Sequence, residues 1–364
     1  MSIRELRRHV GQLLIAGFDG VSAPVELRAI AREFDLGGAI FFARNVESPD
    51  QVAEASYELR MLGRDEPAWV AIDQEGGRVA RLRAPFTEWP PMATLGRADD
   101  EALVRRFAAA LGAELAAVGV TLDFAPVLDV HTNPRNPVIG DRALGDDATR
   151  VGRLGRIIIE TLQGTGIAAC GKHFPGHGDT AQDSHVDLPL VEHAPDRLRA
   201  VEFVPFRSAI EARVATIMTA HVLVPALDAE RPASLSPAII DGLLRRELGY
   251  EGVILSDDLE MRAVSDRYSV ADAAVGAVAA GCDAFLVCSG NHDRQVAALE
   301  GIVRAAEDGR LALARVEDAL RRCRQAKERF LAGEARRPLG RQALAERIGR
   351  PDHQAIADEM RQFA

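Results

Sequence analysis

The fourteen residues from Lys172 to His185 hold three histidines, a lysine and two aspartates: Lys172, His173, His177, Asp179, Asp183 and His185. Pro175, Gly176 and Gly178 force an irregular loop between them. A turn alone has no use for so many titratable side chains, so two chemistries compete. His173, His177, Asp179, Asp183 and His185 could ligate zinc or a pair of metal ions, since imidazole and carboxylate are suitable ligands. Alternatively Asp183 orients and charges His185, leaving its imidazole as a general acid/base near neutral pH. A preorganised metal site is normally drawn from several firm elements, and a Pro/Gly loop is a poor scaffold for one, which favours the dyad.

A second group is the run Val253-Ile254-Leu255-Ser256-Asp257-Asp258. An apolar strand ending in adjacent carboxylates delivers one of them to the strand's end, because successive side chains alternate in direction. A carboxylate so placed can attack an anomeric carbon or stabilise an oxocarbenium ion. Its bland counterpart is a helix N-cap ahead of Leu259. Asp73-Gln74-Glu75-Gly76-Gly77-Arg78 with Arg81 suits hydrogen bonding to sugar hydroxyls above a tight turn, a weak signal alone. Arg142, in the loop after the fourth strand, reads equally well as a site residue or a surface salt bridge.

Eight short apolar, β-rich runs must position these groups: residues 12–18, 38–43, 68–72, 122–127, 167–171, 216–222, 252–255 and 284–288. They are nearly continuous in apolar residues, as buried parallel strands are. Helical patterns separate them: in 99–118 the apolar residues Leu103, Val104, Phe107, Ala108, Leu111 and Leu115 repeat at spacings of three and four. Residues 195–213 and 236–248 follow the same period, the latter opening with Ser236 as a cap and Pro237 in the first turn. Strand and helix alternating about eight times predict an α/β fold, a single (β/α)8 TIM-like barrel, with a doubly wound open sheet as the rival. Barrel active sites gather at the carboxyl ends of the strands, where Arg44, Asn45, Asp73, Asp129, Lys172, His173, His221, Ser256 and Asp257 all fall. Residues 1–334 form the expected catalytic barrel and 335–364 a helical extension that acts as packing trim or an oligomer contact.

At 47% apolar residues, with no uninterrupted apolar run near the roughly 18 to 20 residues that span a bilayer, the chain reads as soluble. Basic residues precede an apolar stretch at the start, but Gln12 interrupts it and no small-residue cleavage site follows. The cysteines Cys170, Cys282, Cys288 and Cys323 lack metal spacing, and the expected setting is the reducing cytoplasm. A formal net charge of −10 with no Lys/Arg cluster argues against a nucleic-acid partner.

Taken together, these segments resemble glycoside hydrolase family 3, and within it the single-domain bacterial β-N-acetylhexosaminidases, over most of residues 5–330. The resemblance implies Asp257 as nucleophile, His185 as general acid/base and Asp183 as its orienting partner. It places Asp73, Arg81, Arg142, Lys172 and His173 against an N-acetylglucosamine ring, with no metal or organic cofactor. It further implies hydrolysis of N-acetylglucosamine from anhydro-muropeptides in peptidoglycan recycling. The expected protein is a monomer or weak oligomer that, from its charge and hydropathy, touches neither nucleic acid nor membrane. Retaining glycosidases commonly use two carboxylates about 5 to 5.5 Å apart, so a loop histidine would here replace the carboxylic acid. A neutral imidazole would not repel an anionic nucleophile, which leaves phosphorolysis open beside hydrolysis. Two more distant rivals are the metal-dependent hydrolase and a sugar-binding protein without turnover.

Overall fold

Eight short strands hydrogen-bond side by side in sequence order, and the first also pairs with the last, closing a parallel barrel in a computed structural model that describes residues 1–181, 188–333 and 337–364. The strands are β1 (Leu14–Gly17), β2 (Gly38–Phe41), β3 (Trp69–Ile72), β4 (Leu122–Asp123), β5 (Ala168–Phe174), β6 (Thr216–Thr219), β7 (Val253–Asp258) and β8 (Ala284–Val287). Each overlaps one of the eight apolar runs, although β4 keeps only the first two residues of 122–127 and β5 and β7 run three residues past their expected ends, and the closure of β1 on β8, with Leu14 opposite Phe285, excludes the open sheet. The apolar stretch near the start is thus the barrel's first strand. Gly17 is required at that seam, because a Cβ there would lie 2.1 Å from the Cys288 carbonyl oxygen.

The helices follow their sequence signals. Asp100 accepts hydrogen bonds from the backbone N–H of Ala102 and Leu103, capping Glu101–Ala117, whose buried face carries the predicted Leu103, Val104, Phe107, Ala108, Leu111 and Leu115. Ser236 Oγ accepts the Ile239 N–H at the head of Ala238–Glu247, a π-helical segment. Where one helix is expected over 195–213 there are two, Pro195–Ala200 and Phe203–Glu211; Val201 leaves helical geometry between them and Arg197 closes on Glu202 with Nη1 at 2.8 Å from both carboxylate oxygens.

The residues after 336 pack back onto the barrel. Helix Pro351–Arg361 lies against Glu101–Ala117: Ala357 and Met360 are buried, His353 Nδ1 sits 2.8 Å from Glu114 Oε1, and Arg106 makes two 2.8 Å hydrogen bonds to Glu359. Among the described residues no helix is long and apolar enough to cross a membrane, and all four cysteines are buried, unpaired thiols.

The pairing register shifts at two places, between Lys172 and Phe174 on β5 and between Leu255 and Asp258 on β7. Irregularities of this kind re-aim side chains at barrel rims. These two fall on the strands that carry the candidate chemistry.

Candidate active site

A cavity of about 320 Å³ opens at the carboxyl ends of the strands. Ile40, Phe124, Met218 and Leu286 supply apolar lining from four strands or strand ends, and Asp73, Glu75, Arg81, Arg142, Lys172, His173, His177, Asp257 and Asp258 supply the polar groups. Every predicted site residue among those described lines this cavity: Asp73, Arg81, Arg142, Lys172, His173 and Asp257. Asp183 and His185 lie outside the described residues.

Lys172 is the hub. β5 runs three residues past its predicted end and carries Lys172 into the wall, where the ammonium lies 2.8 Å from Asp73 Oδ1 and 2.6 Å from Glu75 Oε1. Arg142 closes the other side of Glu75 with two 2.8 Å bonds, from Nε and Nη2, and Arg81 reaches Asp73 Oδ2 at 3.1 Å. Burial pushes both carboxylates toward protonation, but the surrounding cations outweigh it and hold Asp73 and Glu75 below the ordinary carboxylate range: Lys172 and Arg81 for the first, Arg142 and Lys172 for the second. Arg142 is therefore a largely buried member of the cavity wall, paired with the buried Glu75, and its reading as a surface salt bridge does not hold. Glu75, quoted in the motif yet not singled out, pairs with two of the predicted binding residues; its adjacency to Asp73 was the available signal.

The Asp73 motif owes its shape to Gln74. Its Oε1 accepts the backbone N–H of Arg81 and Leu82 and its Nε2 donates to Leu82 O, so the chain doubles back through Gly76 and Gly77, whose φ angles of +108° and +56° favour glycine. The return delivers Arg81 beside Asp73, with its guanidinium 5.5 Å from the Phe42 ring centre.

His173 and His177 are fixed by a group that sequence reading placed only as a polar strand end. Asp129, fully buried, sits 2.7 Å from His173 Nδ1 and accepts the backbone N–H of His173 and His177. Nδ1 of His173 therefore carries a hydrogen, because its carboxylate partner can only accept. Burial drives His177 down to about 4, so near neutral pH it is an uncharged imidazole, held by Thr180 Oγ1 at 2.7 Å. Gly178 permits the loop to lie flat: a Cβ there would meet the Val130 carbonyl oxygen at 1.9 Å. Asp179 is tied to Thr132 Oγ1 at 2.7 Å and to His193. In the described part of the loop, then, Asp179 serves its scaffolding, whereas His177 is both held by Asp129 and Thr180 and part of the cavity lining. Among the described residues the one cluster with metal-ligand spacing is His9, Asp35 and Asp65, away from this cavity.

At the end of β7 strict alternation fails: Asp257 and Asp258 both line the cavity, since the shifted register breaks the two-residue period. They differ in how they are used. Asp258 Oδ1 accepts the N–H of Glu260 (3.1 Å) and Cys288 (3.2 Å), so it holds the turn. Asp257 Oδ1 accepts the Asp258 N–H at 2.8 Å. Burial raises both, but His221 and His173 more than offset it for Asp257, whose carboxyl stays below its ordinary value, whereas burial, with Glu260 and Asp257 as like charges, lifts Asp258 to about 7. His221, fully buried, braces the turn from behind: Nε2 lies 2.9 Å from the Asp258 carbonyl oxygen and Nδ1 2.6 Å from Ser234 Oγ. Neither aspartate caps the next helix, Arg262–Ser265, which begins after Met261.

An ionised aspartate at one wall of a cavity and a paired cluster of carboxylates, guanidinium groups and an ammonium at the other can bind a polyhydroxylated ring and attack one carbon of it. Comparison with known proteins agrees. Residues 5–326 match the glycosyl hydrolase family 3 N-terminal domain. The beta-hexosaminidase of Nitrosomonas eutropha is 41% identical over 260 residues, 70% of this chain and 74% of that protein. Beta-hexosaminidase A of Pseudoalteromonas piscicida is 38% identical over 72% of this chain, and the match spans 48% of its length. Among solved structures, a glycoside hydrolase family 3 beta-N-acetylglucosaminidase from Paenibacillus sp. str. FPU-7 superposes with a TM-score of 0.93 at 42% identity, over 98% of this chain and 68% of that one. NagZ from Neisseria gonorrhoeae in complex with N-trifluoroacetyl-D-glucosamine gives 0.77 at 30% identity, over 99% of each chain.

Proposed function

This chain belongs to glycosyl hydrolase family 3, and from that premise we propose that it is a retaining, exo-acting β-N-acetylglucosaminidase that releases terminal, non-reducing β-linked N-acetylglucosamine. The observation that carries the reading is Asp257: a carboxylate kept ionised, in the same cavity as Asp73, Arg81, Arg142, Lys172 and His173. Asp257 attacks the anomeric carbon and the glycosidic bond to the leaving sugar breaks, while His185, oriented by Asp183, gives its proton to the leaving oxygen. In the second half-reaction His185 takes a proton from water as the water oxygen displaces Asp257, which restores the enzyme. The cluster around Lys172 holds the ring hydroxyls, and its prepaired charges need no reorganisation on binding. Anhydro-muropeptides generated in peptidoglycan recycling are the natural substrate in this reading, and the cytoplasm is where they are met; the enzyme acts as a monomer or weak oligomer. The amino-sugar preference is supported by the names of the relatives and by the N-trifluoroacetyl-D-glucosamine bound to the Neisseria protein.

Incubation with a slow 2-acetamido-2-deoxy-fluorosugar followed by intact and peptide mass measurement tests the assignment. One glycosyl unit on the peptide containing Asp257 is expected. An active enzyme that carries the label elsewhere, or none, removes Asp257 from the nucleophile's role.

A further inference from the structure

The opposite end of the barrel holds three potential ligands that the sugar chemistry does not use. His9 ends the helix Ile3–His9 ahead of β1, Asp35 follows the helix Val25–Phe34 ahead of β2, and Asp65 lies in the connection into β3. All three therefore sit at the amino ends of consecutive strands. His9 Nδ1, one Asp35 oxygen and one Asp65 oxygen lie within 4.8 Å of one another.

Asp35 is the telling member. Its residue is fully buried, and Oδ1 accepts the Arg64 backbone N–H at 2.7 Å, which fixes the carboxylate plane. Oδ2 is also buried and accepts no hydrogen bond among the described residues. An orphaned carboxylate oxygen in a protein interior costs desolvation with nothing in return. The separations to the imidazole are 3.8 Å from Asp35 Oδ2 and 3.5 Å from Asp65 Oδ2. Both exceed the roughly 2.7–3.2 Å of a hydrogen bond. They approach the edge of a ligand tetrahedron, about 3.4 Å for bonds near 2.1 Å. Two cations are close by, but neither donates to Asp35 Oδ2: Arg64 is spread over the Arg32 and Arg8 carbonyls and reaches Asp65 Oδ2 only at 3.4 Å, and Lys327 is engaged with Gln12 Oε1.

We infer that His9, Asp35 and Asp65 form a site for a divalent cation of the zinc type, one imidazole and two carboxylates leaving a fourth position for water. Two carboxylates and a neutral imidazole balance a doubly charged ion. The partly exposed His9 and exposed Asp65 provide the entry path, and the Arg64 N–H on Asp35 Oδ1 is the outer contact that orients the buried ligand. At the amino end of the barrel, away from the cavity that cleaves sugar, such an ion pins the first helix to the connections into β2 and β3 and acts on stability.

Zinc binding to the full-length enzyme, followed by equilibrium dialysis with metal analysis and by thermal denaturation, provides the test. Wild type should bind a Zn²⁺ ion that is weakened at least about tenfold in both His9→Gln and Asp65→Ala, with a rise in Tm of about 2 °C or more at a hundredfold excess over Kd that both variants lose. Cobalt in the same site should give the intense visible absorption of four-coordinate Co²⁺. Turnover of a chromogenic N-acetylglucosaminide by metal-free enzyme should be the same in wild type and both variants. Zinc binding and a Tm response retained in full by both variants would place the ion elsewhere and overturn the inference. So would a wild type that binds no zinc. Asp65 is exposed and takes no part in the core, so Asp65→Ala keeps the test readable even if His9→Gln perturbs folding.

Discussion

Two buried ion clusters lie at opposite ends of this barrel and differ in what surrounds them. At the carboxyl end, Lys172 sits between Asp73 and Glu75 with Arg81 and Arg142 outside them, and the whole group faces a cavity. At the amino end, Asp283, just before β8, sits between Arg245 and Arg315, each 2.6 Å away, and also accepts the Ile254 N–H. There Arg245 also donates to the main-chain carbonyls of Tyr250 and Gly252, and Arg315 to those of Val278 and Cys282 and to the Asp318 carboxylate, which binds both guanidinium groups into the fold. Both clusters are costly to bury and neither is evidence of stability alone. The difference teaches that function resides in where the charges face: at one end they close on the protein itself, at the other they line an open cavity of about 320 Å³.

Paired substitutions should separate the two ends. Asp257→Asn is expected to lower kcat on a chromogenic N-acetylglucosaminide by a factor on the order of 10³ or more with little change in Tm, because it removes the attacking atom and leaves the Asp258 N–H an acceptor. Asp283→Asn should do the reverse, costing about 3–5 kcal/mol in denaturant unfolding by leaving two guanidinium groups undercompensated, with kcat per folded molecule unchanged. If Asp283→Asn instead lowered kcat in fully folded protein, the contrast between the two ends would fail.

A smaller effect concerns pH. His177 has its folded value depressed from 6.5 to about 4, chiefly by burial. Its neutral form is the one the fold accepts, so its contribution to stability is present above pH 6.5 and is lost as pH falls through about 4, by at most about 3 kcal/mol. His177→Gln should flatten that part of the stability curve, and an unchanged slope between pH 6.5 and 4 would show that other groups set it. Smallest of all is Asp258→Asn: the amide oxygen still accepts from Glu260 and Cys288, so kcat should fall by less than about tenfold. A loss as large as that of Asp257→Asn would give both carboxylates a part in the chemistry.

Much of this was legible in the residues. Eight apolar runs of strand length, with capped amphipathic helices between them, admit few arrangements, because buried parallel strands must be uniformly apolar and each helix must turn one face inward. Polar residues at the ends of those runs marked the cavity's rim, and of the residues the family resemblance assigned, Asp73, Arg81, Arg142, Lys172, His173 and Asp257 line it together with the unassigned Glu75, His177 and Asp258.

What the chain alone left open was every relation between segments distant in sequence. Whether Arg142 lay on the surface or in the wall depended on Glu75, 67 residues away, and the tie of His173 to Asp129 joins the end of β5 to the segment after β4, 44 residues apart. The alternation rule, sound for a regular strand, misjudged Asp258 because the register shift on β7 arises from pairing with β8, which β7 cannot encode by itself. The same holds for the amino end, where His9, Asp35 and Asp65 share no motif and meet only because barrel closure stacks the approaches to β1, β2 and β3 side by side. Local sequence determines element type through short-range sterics and burial, and so it specified the strands, the helices and which residues could react. Partners, protonation states and facing directions depend on contacts across the barrel, and only the tertiary structure decided those.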